Sequence, residues 1–274
     1  MNLSQSLQSA SLTDPGRVRD HNEDCIESRP EIGLFVLADG MGGYNAGEVA
    51  RGMATSLIAD GMQESWRPAD VARISRDESK ALSEKLLREH VGRANSAIFT
   101  TSQNNPECAG MGTTLVVCLF FDNFLTVAHI GDSRLYRLRG DAMEQVTRDH
   151  SLLQEQLDSG LITPEEAKLS QNKNLVTRAL GIDPSVDTEI HVYETQPDDS
   201  YLLCSDGLSD MVEDEEIRLT LITLKTNPSL TVQQLVQAAN DNGGRDNISA
   251  MLTRVVEPYG VPRGWLARLK ALFR

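Results

Sequence analysis

The sequence predicts an α+β fold, in which antiparallel strands and helices form separate layers. Between Thr113 and Thr147, β-rich segments follow one another with only short turns between them. Longer helical patterns precede this stretch, and further strands and helices follow it. A parallel α/β sheet would instead place a helix after each strand. At 274 residues, the chain is long enough for one large domain or two small ones.

The strands are predicted from apolar runs that end at small or turn-forming residues. The first is LFVLAD, which ends at Asp39. The stretch 113–147 is divided by turn signals at positions 122–123, 131–132 and 140–141. Two further runs are YLLCSD and ISAMLTRVV. Their nearly continuous apolar character predicts strands that are covered on both faces, or that form the inner faces of a sandwich.

Four segments show the helical spacing of apolar residues. They cover residues 47–62, 78–99, about 217–224 and the stretch after Thr231, which we predict as an N-cap. Residues 151–184 are polar and broken, without a strong strand pattern. We expect that segment to be a helical insert lying over the surface.

Composition narrows the class of protein. Hydrophobic residues make up 40% of the chain and charged residues 24%, as in soluble globular proteins. The net charge of −14 argues against nonspecific nucleic-acid binding, which requires a cationic face. No apolar run reaches the roughly 20 residues of a transmembrane helix, and the N-terminus has no signal-peptide pattern. We therefore expect a cytoplasmic protein whose four cysteines are reduced.

Acidic residues recur where the apolar runs begin or end, and all but Asp24 lie directly beside Gly, Ser or Asn. If the strands pack together, these carboxylates converge and repel each other unless a cation neutralises them. Oxygen ligands without His or Cys favour Mg²⁺ or Mn²⁺ over zinc or copper. The residues concerned are Glu23, Asp24, Asp39, Asp132, Asp206, Asp210 and Asp246.

The neighbours of these acids suggest phosphoryl chemistry. Gly40 would let the backbone turn so that its carbonyl also faces a metal. Two such ions can activate a water and clamp the oxygens of an in-line phosphoryl displacement. Arg19, four residues before Glu23, offers a fork of donors that matches a phosphate. A single Asp-Gly is usually only a turn, so the hypothesis depends on the whole set of acids.

Other chemistries fit the residues less well. Ser133 and Ser205 lie outside any G-x-S-x-G elbow, which argues against a serine nucleophile. DGMGG lacks the lysine and the spacing of a P-loop. No histidine lies at metal-ligand spacing, and we expect His150 to have a structural role.

Nine blocks of the chain, in order, make a family resemblance specific. Over residues 9–256 the chain resembles the metal-dependent Ser/Thr protein phosphatase family, type 2C, in its bacterial form. The blocks are GRVRDHNED, LADGMGG, AGEVA, MGTTL, AHIGDSRLYRLR, TRDHSL, NLVTRALG, LLCSDGLSDMV and GGRDNIS.

The resemblance implies an αββα sandwich of two antiparallel sheets flanked by helices. It also implies a catalytic domain over residues 1–257, with a flap at about 151–181 beside the cleft. The implied activity is hydrolysis of phosphoserine and phosphothreonine on proteins by a metal-activated water at a binuclear centre. The expected partners are phosphorylated proteins and a cognate Ser/Thr kinase that the enzyme opposes, and the expected state is a monomer.

The resemblance also assigns roles to the site residues. Asp39 would bridge two Mg²⁺ or Mn²⁺ ions, and Arg19 would hold the substrate phosphate. One ion would use the Gly40 carbonyl and the Glu23 side chain, directly or through water. The second ion would use Asp206 and Asp246, and a third, weaker ion would use Asp132 and Asp210 with Asp206.

Three questions stay open from the sequence. Animal members have a histidine, proposed as general acid, where this chain has Met41. His21 and a metal-bound water are the alternatives for that role. A hydrolase of small phosphoesters and a catalytically dead binding module are competing functions, although a dead module would be expected to lose metal-binding acids.

The segment 258–274 falls outside the resemblance. It contains four cationic residues and no acidic one. As a helix it would gather its large apolar side chains on one face. It could pack on the parent domain, dock on a partner protein or lie on an anionic membrane surface. The apolar residues are Trp265, Leu266, Leu269, Leu272 and Phe273, and the cations are Arg263, Arg268, Lys270 and Arg274.

Overall fold

The computed structural model describes residues 3–42, 46–163, 166–167, 170 and 175–263. Its strands are β1 Leu7–Asp14, β2 Asp24–Arg29, β3 Leu34–Met41, β4 Gly112–Thr113, β5 Leu115–Phe121, β6 Phe124–Ile130, β7 Arg134–Arg139, β8 Ala142–Gln145, β9 Glu189–Glu194, β10 Ser200–Cys204 and β11 Ile248–Val255. Its helices are α1 Leu3–Ser6, α2 Ala46–Ser65, α3 Pro68–Val71, α4 Arg76–Asn104, α5 Leu152–Asp158, α6 Asp206–Ser209, α7 Asp214–Thr223 and α8 Pro228–Asp241, with a 3₁₀ helix at Pro106–Cys108.

The strands form two antiparallel sheets. One has the order β1-β11-β10-β7-β8, and the other has the order β2-β3-β5-β6-β9, with β4 paired to β3. The turn between β6 and β7 carries the chain from one sheet to the other. This arrangement explains the meander in the sequence, because β5 to β8 are hairpin neighbours apart from that one crossing between sheets.

Three apolar layers stack through the molecule. In β3, Leu34 and Val36 point toward α2 and α4, whereas Phe35 and Leu37 point between the sheets. The inter-sheet layer includes Phe120, whose ring meets that of Tyr201 edge to face at 5.4 Å. A third layer packs α7 and α8 on the outer face of the five-stranded sheet. Because strands such as β3 are covered on both faces, they read as unbroken apolar runs. The predicted αββα sandwich is confirmed.

The long helices begin at polar caps. Ser75 and Glu78 form a capping box at the start of α4, which is longer than the predicted 78–99. The predicted N-cap at Thr231 is wrong. The helix α8 begins at Pro228, where Asn227 accepts a hydrogen bond from the backbone N–H of Leu230. Pro at the first position and Asn before it form a better helix start than Thr231 does. Within the described residues, no helix is both long enough and apolar enough to cross a membrane.

Three edge strands, β1, β2 and β9, have no strand signal in the sequence. Strands β1, β2 and β9 each lie at an edge of their sheet, and most residues of β1 are exposed. An edge strand with few buried residues has no apolar alternation to reveal it. These strands form because a partner strand offers hydrogen bonds, which local sequence does not show.

The chain after β11 packs back onto the domain as far as Arg263. Tyr259 is buried in the inter-sheet layer, and its hydroxyl lies 2.6 Å from Thr195 Oγ1. Arg263 donates to the buried carboxylate of Asp122 at 2.5 Å. The amphipathic helix predicted from Trp265 onward lies outside the described residues.

Candidate active site

The acid-bearing strand ends meet at one end of the two sheets. Cys204 at the end of β10 lies opposite Arg134 of β7 and Ala250 of β11. Asp132 just before β7, Asp206 just after β10 and Asp246 just before β11 therefore share that end. Since β6 enters β7 through Gly131–Ser133, the same end adjoins the sheet that contains Asp39. The structure thus brings these four acids together.

Burial and mutual repulsion perturb the central carboxyls. Burial is the largest cause that raises the pKa of Asp39 well above its ordinary value, followed by the charges of Asp24, Asp206, Asp132 and Asp246. The pKa of Asp206 is also raised well above its ordinary value, first by burial and then by neighbouring carboxylates. These acids are therefore ionised at neutral pH only at a free-energy cost, unless positive charge is supplied.

Asp24 belongs to this cluster, although the sequence analysis assigned a ligand role only to its neighbour Glu23. It lies directly opposite Asp39 in the β2–β3 register and is 3% exposed. Its Oδ2 accepts from Ser205 Oγ at 2.7 Å, while its buried Oδ1 has no N–H or O–H donor among the described residues. Burial is the main cause that raises its pKa to about 7. The available signal was its place in the same acidic pair as Glu23.

Glu23 and Gly40 are held against the start of α2. The backbone carbonyl of Glu23 accepts from Gly40 N at 2.9 Å, and Glu23 N donates to Asn247 Oδ1 at 2.6 Å. A Cβ on Gly47 would lie 2.9 Å from Glu23 Oε2. The Glu23 carboxylate therefore packs directly against the backbone at Gly47, where any side chain would collide with it.

The expectation that glycine lets the backbone turn at Gly40 is wrong. Gly40 continues β3 and pairs with Thr113 of β4. A Cβ at this position would lie 2.3 Å from the carbonyl oxygen of Gly47. Glycine is needed for close approach of a helix, not for an unusual backbone angle.

The backbone of Asp39 is fixed by two threonines. Thr113 Oγ1 and Thr114 N donate to the Asp39 carbonyl at 2.8 and 2.9 Å. Asp39 N in turn donates to Thr114 Oγ1 at 3.1 Å. Thr114 Oγ1 also lies 2.7 Å from Ser133 Oγ, which ties Asp39 to the turn that contains Asp132. These bonds fix the backbone of Asp39 and use neither oxygen of its carboxylate.

Arg19 reaches the cluster from the loop between β1 and β2. Its Nη2 donates to Asp246 Oδ2 at 2.8 Å, across 227 positions of sequence. The hydrogen bond to Asp246 is the main cause that raises the pKa of the Arg19 guanidinium. The Arg19 side chain is 57% exposed, so part of its donor fork faces solvent.

Asp132 and Asp210 form the side of the cluster that faces a neighbouring cleft. Asp132 is 7% exposed, and its pKa is raised to about 6, mainly by burial and then by Asp149. Asp210 is exposed and ends α6, where its N–H donates to the Asp206 carbonyl at 2.8 Å. The sequence-predicted site residues therefore all lie on or beside the same cluster. His21 is exposed, and its backbone carbonyl accepts from Asn247 Nδ2 at 2.8 Å.

A second group of possible ligands consists of His129, His150 and Glu189, whose ligand atoms lie within 4.8 Å of one another. His150 Nδ1 accepts from Gly131 N at 3.1 Å, so the ring proton is on Nε2, which faces Glu189 Oε1 at 3.1 Å. His129 Nε2 donates to the carbonyl of Arg148 at 2.9 Å. In this arrangement both Nε2 atoms carry protons that are used in hydrogen bonds. The structural role expected for His150 fits this hydrogen-bonded group.

Comparisons with known proteins agree with this geometry. The protein phosphatase 2C family profile matches residues 19–253. The serine/threonine phosphatase stp of Listeria innocua is 37% identical over 243 residues, which are 88% of this chain and 92% of that protein. The crystal structure of the Mycobacterium tuberculosis serine/threonine phosphatase PstP/Ppp has a TM-score of 0.80 and 36% identity, covering 92% of this chain and 99% of that one. A structure of the PstP catalytic domain in complex with two manganese ions has a TM-score of 0.77 and 37% identity over the same shares.

Proposed function

This chain belongs to the protein phosphatase 2C family and is a serine/threonine protein phosphatase of the type found in bacteria, and we propose that it uses a binuclear Mg²⁺ or Mn²⁺ centre to hydrolyse phosphoserine and phosphothreonine on proteins. The observation that carries the proposal is the convergence of carboxylates from both sheets beside one guanidinium. Buried acids that repel each other favour a cation, and the guanidinium favours a phosphate.

The residues present fit divalent hard cations. The cluster offers only oxygen donors, which suit Mg²⁺ and Mn²⁺. The raised pKa values of Asp39 and Asp206 reflect buried negative charge that bound cations would neutralise. The buried Oδ1 of Asp24, which lacks a donor, points to the same need for positive charge. When bound, such ions supply Lewis-acid activation of water and stabilise charge on the phosphoryl oxygens.

The proposed assignment follows the positions of the side chains. Asp39, at the centre of the repelling carboxylates, would be shared by two ions. Glu23 and the Gly40 carbonyl would complete one site, and Asp206 and Asp246 would complete the other. Asp132 and Asp210, on the cleft side with Asp206, would hold a third ion more weakly.

The remaining residues position the reacting groups. Arg19 binds the substrate phosphate through the part of its donor fork that Asp246 does not use. Thr113 and Thr114 hold the backbone of Asp39 so that its carboxylate needs little reorganisation. Ser205 donates to Asp24 and orients this buried carboxylate, whose residue pairs with Asp39 across the two strands.

The cellular context follows from the chemistry. A phosphatase that removes phosphate from serine and threonine opposes the kinases that add it. We therefore infer a cognate Ser/Thr kinase, phosphoprotein substrates, a cytoplasmic location and a monomeric state. These inferences depend on the proposed reaction and on the acidic, soluble composition of the chain.

Hydrolysis of a phosphothreonine peptide, with and without Mn²⁺, tests the proposal. Asp39→Asn should lower kcat by at least about 100-fold, because a shared metal ligand is lost. Asp60→Asn is the matched control, since Asp60 lies on the exposed surface of α2 with only a 3.5 Å contact to Arg29. Chelation with EDTA should abolish turnover, and Mn²⁺ should restore it.

The same assay separates the competing functions. Full activity in metal-free buffer would contradict the mechanism. Rapid hydrolysis of p-nitrophenyl phosphate, with none of any phosphopeptide, would favour a small-phosphoester hydrolase. Peptide binding without turnover in the presence of Mn²⁺ would favour a binding module.

A further inference from the structure

A cleft of about 350 Å³ extends from the acid cluster toward the segment that follows β8. Asp132, Asp206 and Asp210 are among the residues that line it. Its volume is at the lower end of the range for ligand pockets, so it suits one side chain rather than a folded partner. Because it opens beside the proposed reaction centre, whatever occupies it would be close to the phosphorylated residue.

Two walls of this cleft differ in character. Leu153 and Leu157, on one face of α5, form an apolar wall. Glu213 and Asp214, at the start of α7, form an acidic wall. A lysine or arginine side chain has the matching character, with an apolar stem and a cationic head.

The cation that lines the cleft is already paired with an acid outside the acidic wall. Arg134 is the one cation among the described residues that line the cleft, and Asp149 already pairs with it through contacts of 2.7 to 3.1 Å. Arg134 Nη1 also donates to Tyr136 OH at 2.9 Å, and that hydroxyl donates to Asp214 Oδ1 at 2.9 Å. This chain of bonds fixes Asp214 at the wall without neutralising it.

Glu213 completes the acidic wall. It is the residue before the first turn of α7, it is exposed, and its side chain makes no capping hydrogen bond. Acidic residues at a helix start also interact favourably with the helix dipole, which would explain the acids of α7 without a ligand. That explanation does not account for the leucines across the cleft, and it would apply equally to Glu216 in the same turn.

We propose that this cleft binds a lysine or arginine side chain of the phosphoprotein substrate, close in sequence to the phosphorylated residue. The inference rests on the proposed function and adds a substrate class to it. The stem of the bound side chain lies along Leu153 and Leu157. Its cationic head pairs with Glu213 and Asp214. Phosphoproteins with a basic residue near the phosphorylated position are therefore the preferred substrates.

The test compares phosphothreonine peptides that differ at one position. A single lysine is placed in turn at each of the four positions on either side of the phosphothreonine, with norleucine as its uncharged match. With Mn²⁺ at low ionic strength, we expect kcat/KM to be about three- to tenfold higher for lysine at one or more positions. Glu213→Gln should lower that ratio by at least about twofold, because Asp214 remains as the second acid of the wall.

Glu216→Gln is the control, because it removes the same charge from the same helix turn outside the cleft lining. It should leave the lysine-to-norleucine ratio unchanged. Leu157→Ala should lower kcat/KM for both peptides, since both have an apolar stem.

The outcomes separate this inference from the proposed function. Hydrolysis of the peptides with no preference for lysine at any position overturns the inference alone. Equal loss of preference in Glu213→Gln and Glu216→Gln also overturns it, because the effect would then be general electrostatics. An unchanged rate for both peptides in Leu157→Ala would exclude the apolar wall. If no phosphopeptide is hydrolysed, the proposed function fails and takes this inference with it.

Discussion

Removal of residues 258–274 should destabilise the folded protein far more than removal of residues 264–274. The shorter truncation keeps every described contact of the segment after β11. The longer one removes Tyr259, Val261 and Arg263, which pack against the turn between β5 and β6. The pair of truncations therefore isolates what these contacts contribute.

Tyr259 should contribute more to the free energy of unfolding than Val261 and Arg263 do. Its side chain is 3% exposed and lies in the inter-sheet layer, with its ring centroid 6.5 Å from that of Phe120. Its hydroxyl is also close to Thr195 and donates to the carbonyl of Phe124 at 3.1 Å. Loss of a buried aromatic side chain costs about 3–5 kcal/mol of the free energy of unfolding.

Arg263 and Val261 satisfy a buried acid. Asp122 is 1% exposed, accepts from Val261 N at 2.6 Å and pairs with Arg263 Nη1 at 2.5 Å. After truncation only Arg76, at 3.6 Å, would remain as an ion-pair partner. A further loss of about 1–3 kcal/mol follows, less than for a buried acid left with no cation.

Together these contacts predict a loss of about 4–8 kcal/mol, with some non-additivity because they share the turn at Asp122–Asn123. That is a large share of a typical domain stability of about 5–15 kcal/mol. The melting temperature should fall by roughly 10–25 °C, and urea unfolding should shift in the same direction. The truncation after Arg263 keeps these contacts and serves as the reference for the comparison.

Activity provides the second measurement. No proposed ligand lies beyond Asp246, so both truncated proteins should hydrolyse a phosphopeptide within a few-fold of the full chain, per folded molecule. Equal stability of the two truncations would refute the reasoning about Tyr259 and Asp122. A folded protein without activity after either truncation would instead place the segment in the active site.

Four further substitutions test separate parts of the protein. Arg19→Ala should raise KM about tenfold and lower kcat less, as expected for loss of a ground-state phosphate contact; an unchanged KM would remove its assignment. Asp132→Ala and Asp210→Ala should each reduce turnover while calorimetry still detects two tight ions, and loss of a tight ion would contradict the third-ion role. Burial is the main cause that lowers the pKa of His129, so below about pH 6.5 the unfolded chain takes up a proton that the folded protein resists. The free energy of unfolding should therefore fall as the pH drops below that value. Urea unfolding at pH 7.5, 6.5 and 5.5 should show a smaller fall for His129→Gln than for the unsubstituted protein. Equal falls in the two proteins would exclude His129 as the cause.

Part of the fold could be predicted locally because some strands are covered on both faces. In β3, β5, β6, β10 and β11 nearly every residue is buried, so the apolar runs mark them. The edge strands β1 and β9 gave no such signal, since most residues of β1 are exposed and no residue of β9 is fully buried. The start of α8 was misplaced because two capping residues, Asn227 and Thr231, lie within one turn of each other, and only the backbone shows which one caps.

The acids of the candidate site were visible in the sequence because their position is a local property. An acid at the mouth of an apolar run is recognisable without knowing which strands pair. The resemblance to a phosphatase family added roles to those acids, since nine motifs in order are specific.

Only the tertiary structure decided which of these residues touch. Asp24 faces Asp39 because β2 and β3 pair in one register, and Arg19 meets Asp246 across 227 positions of sequence. The cleft between α5 and α7, and the return of Tyr259 into the inter-sheet layer, likewise join segments that are far apart in the chain. Local sequence specifies hydrophobic period, caps and the chemistry of each side chain, whereas pairing and burial depend on the free energy of packing distant segments together.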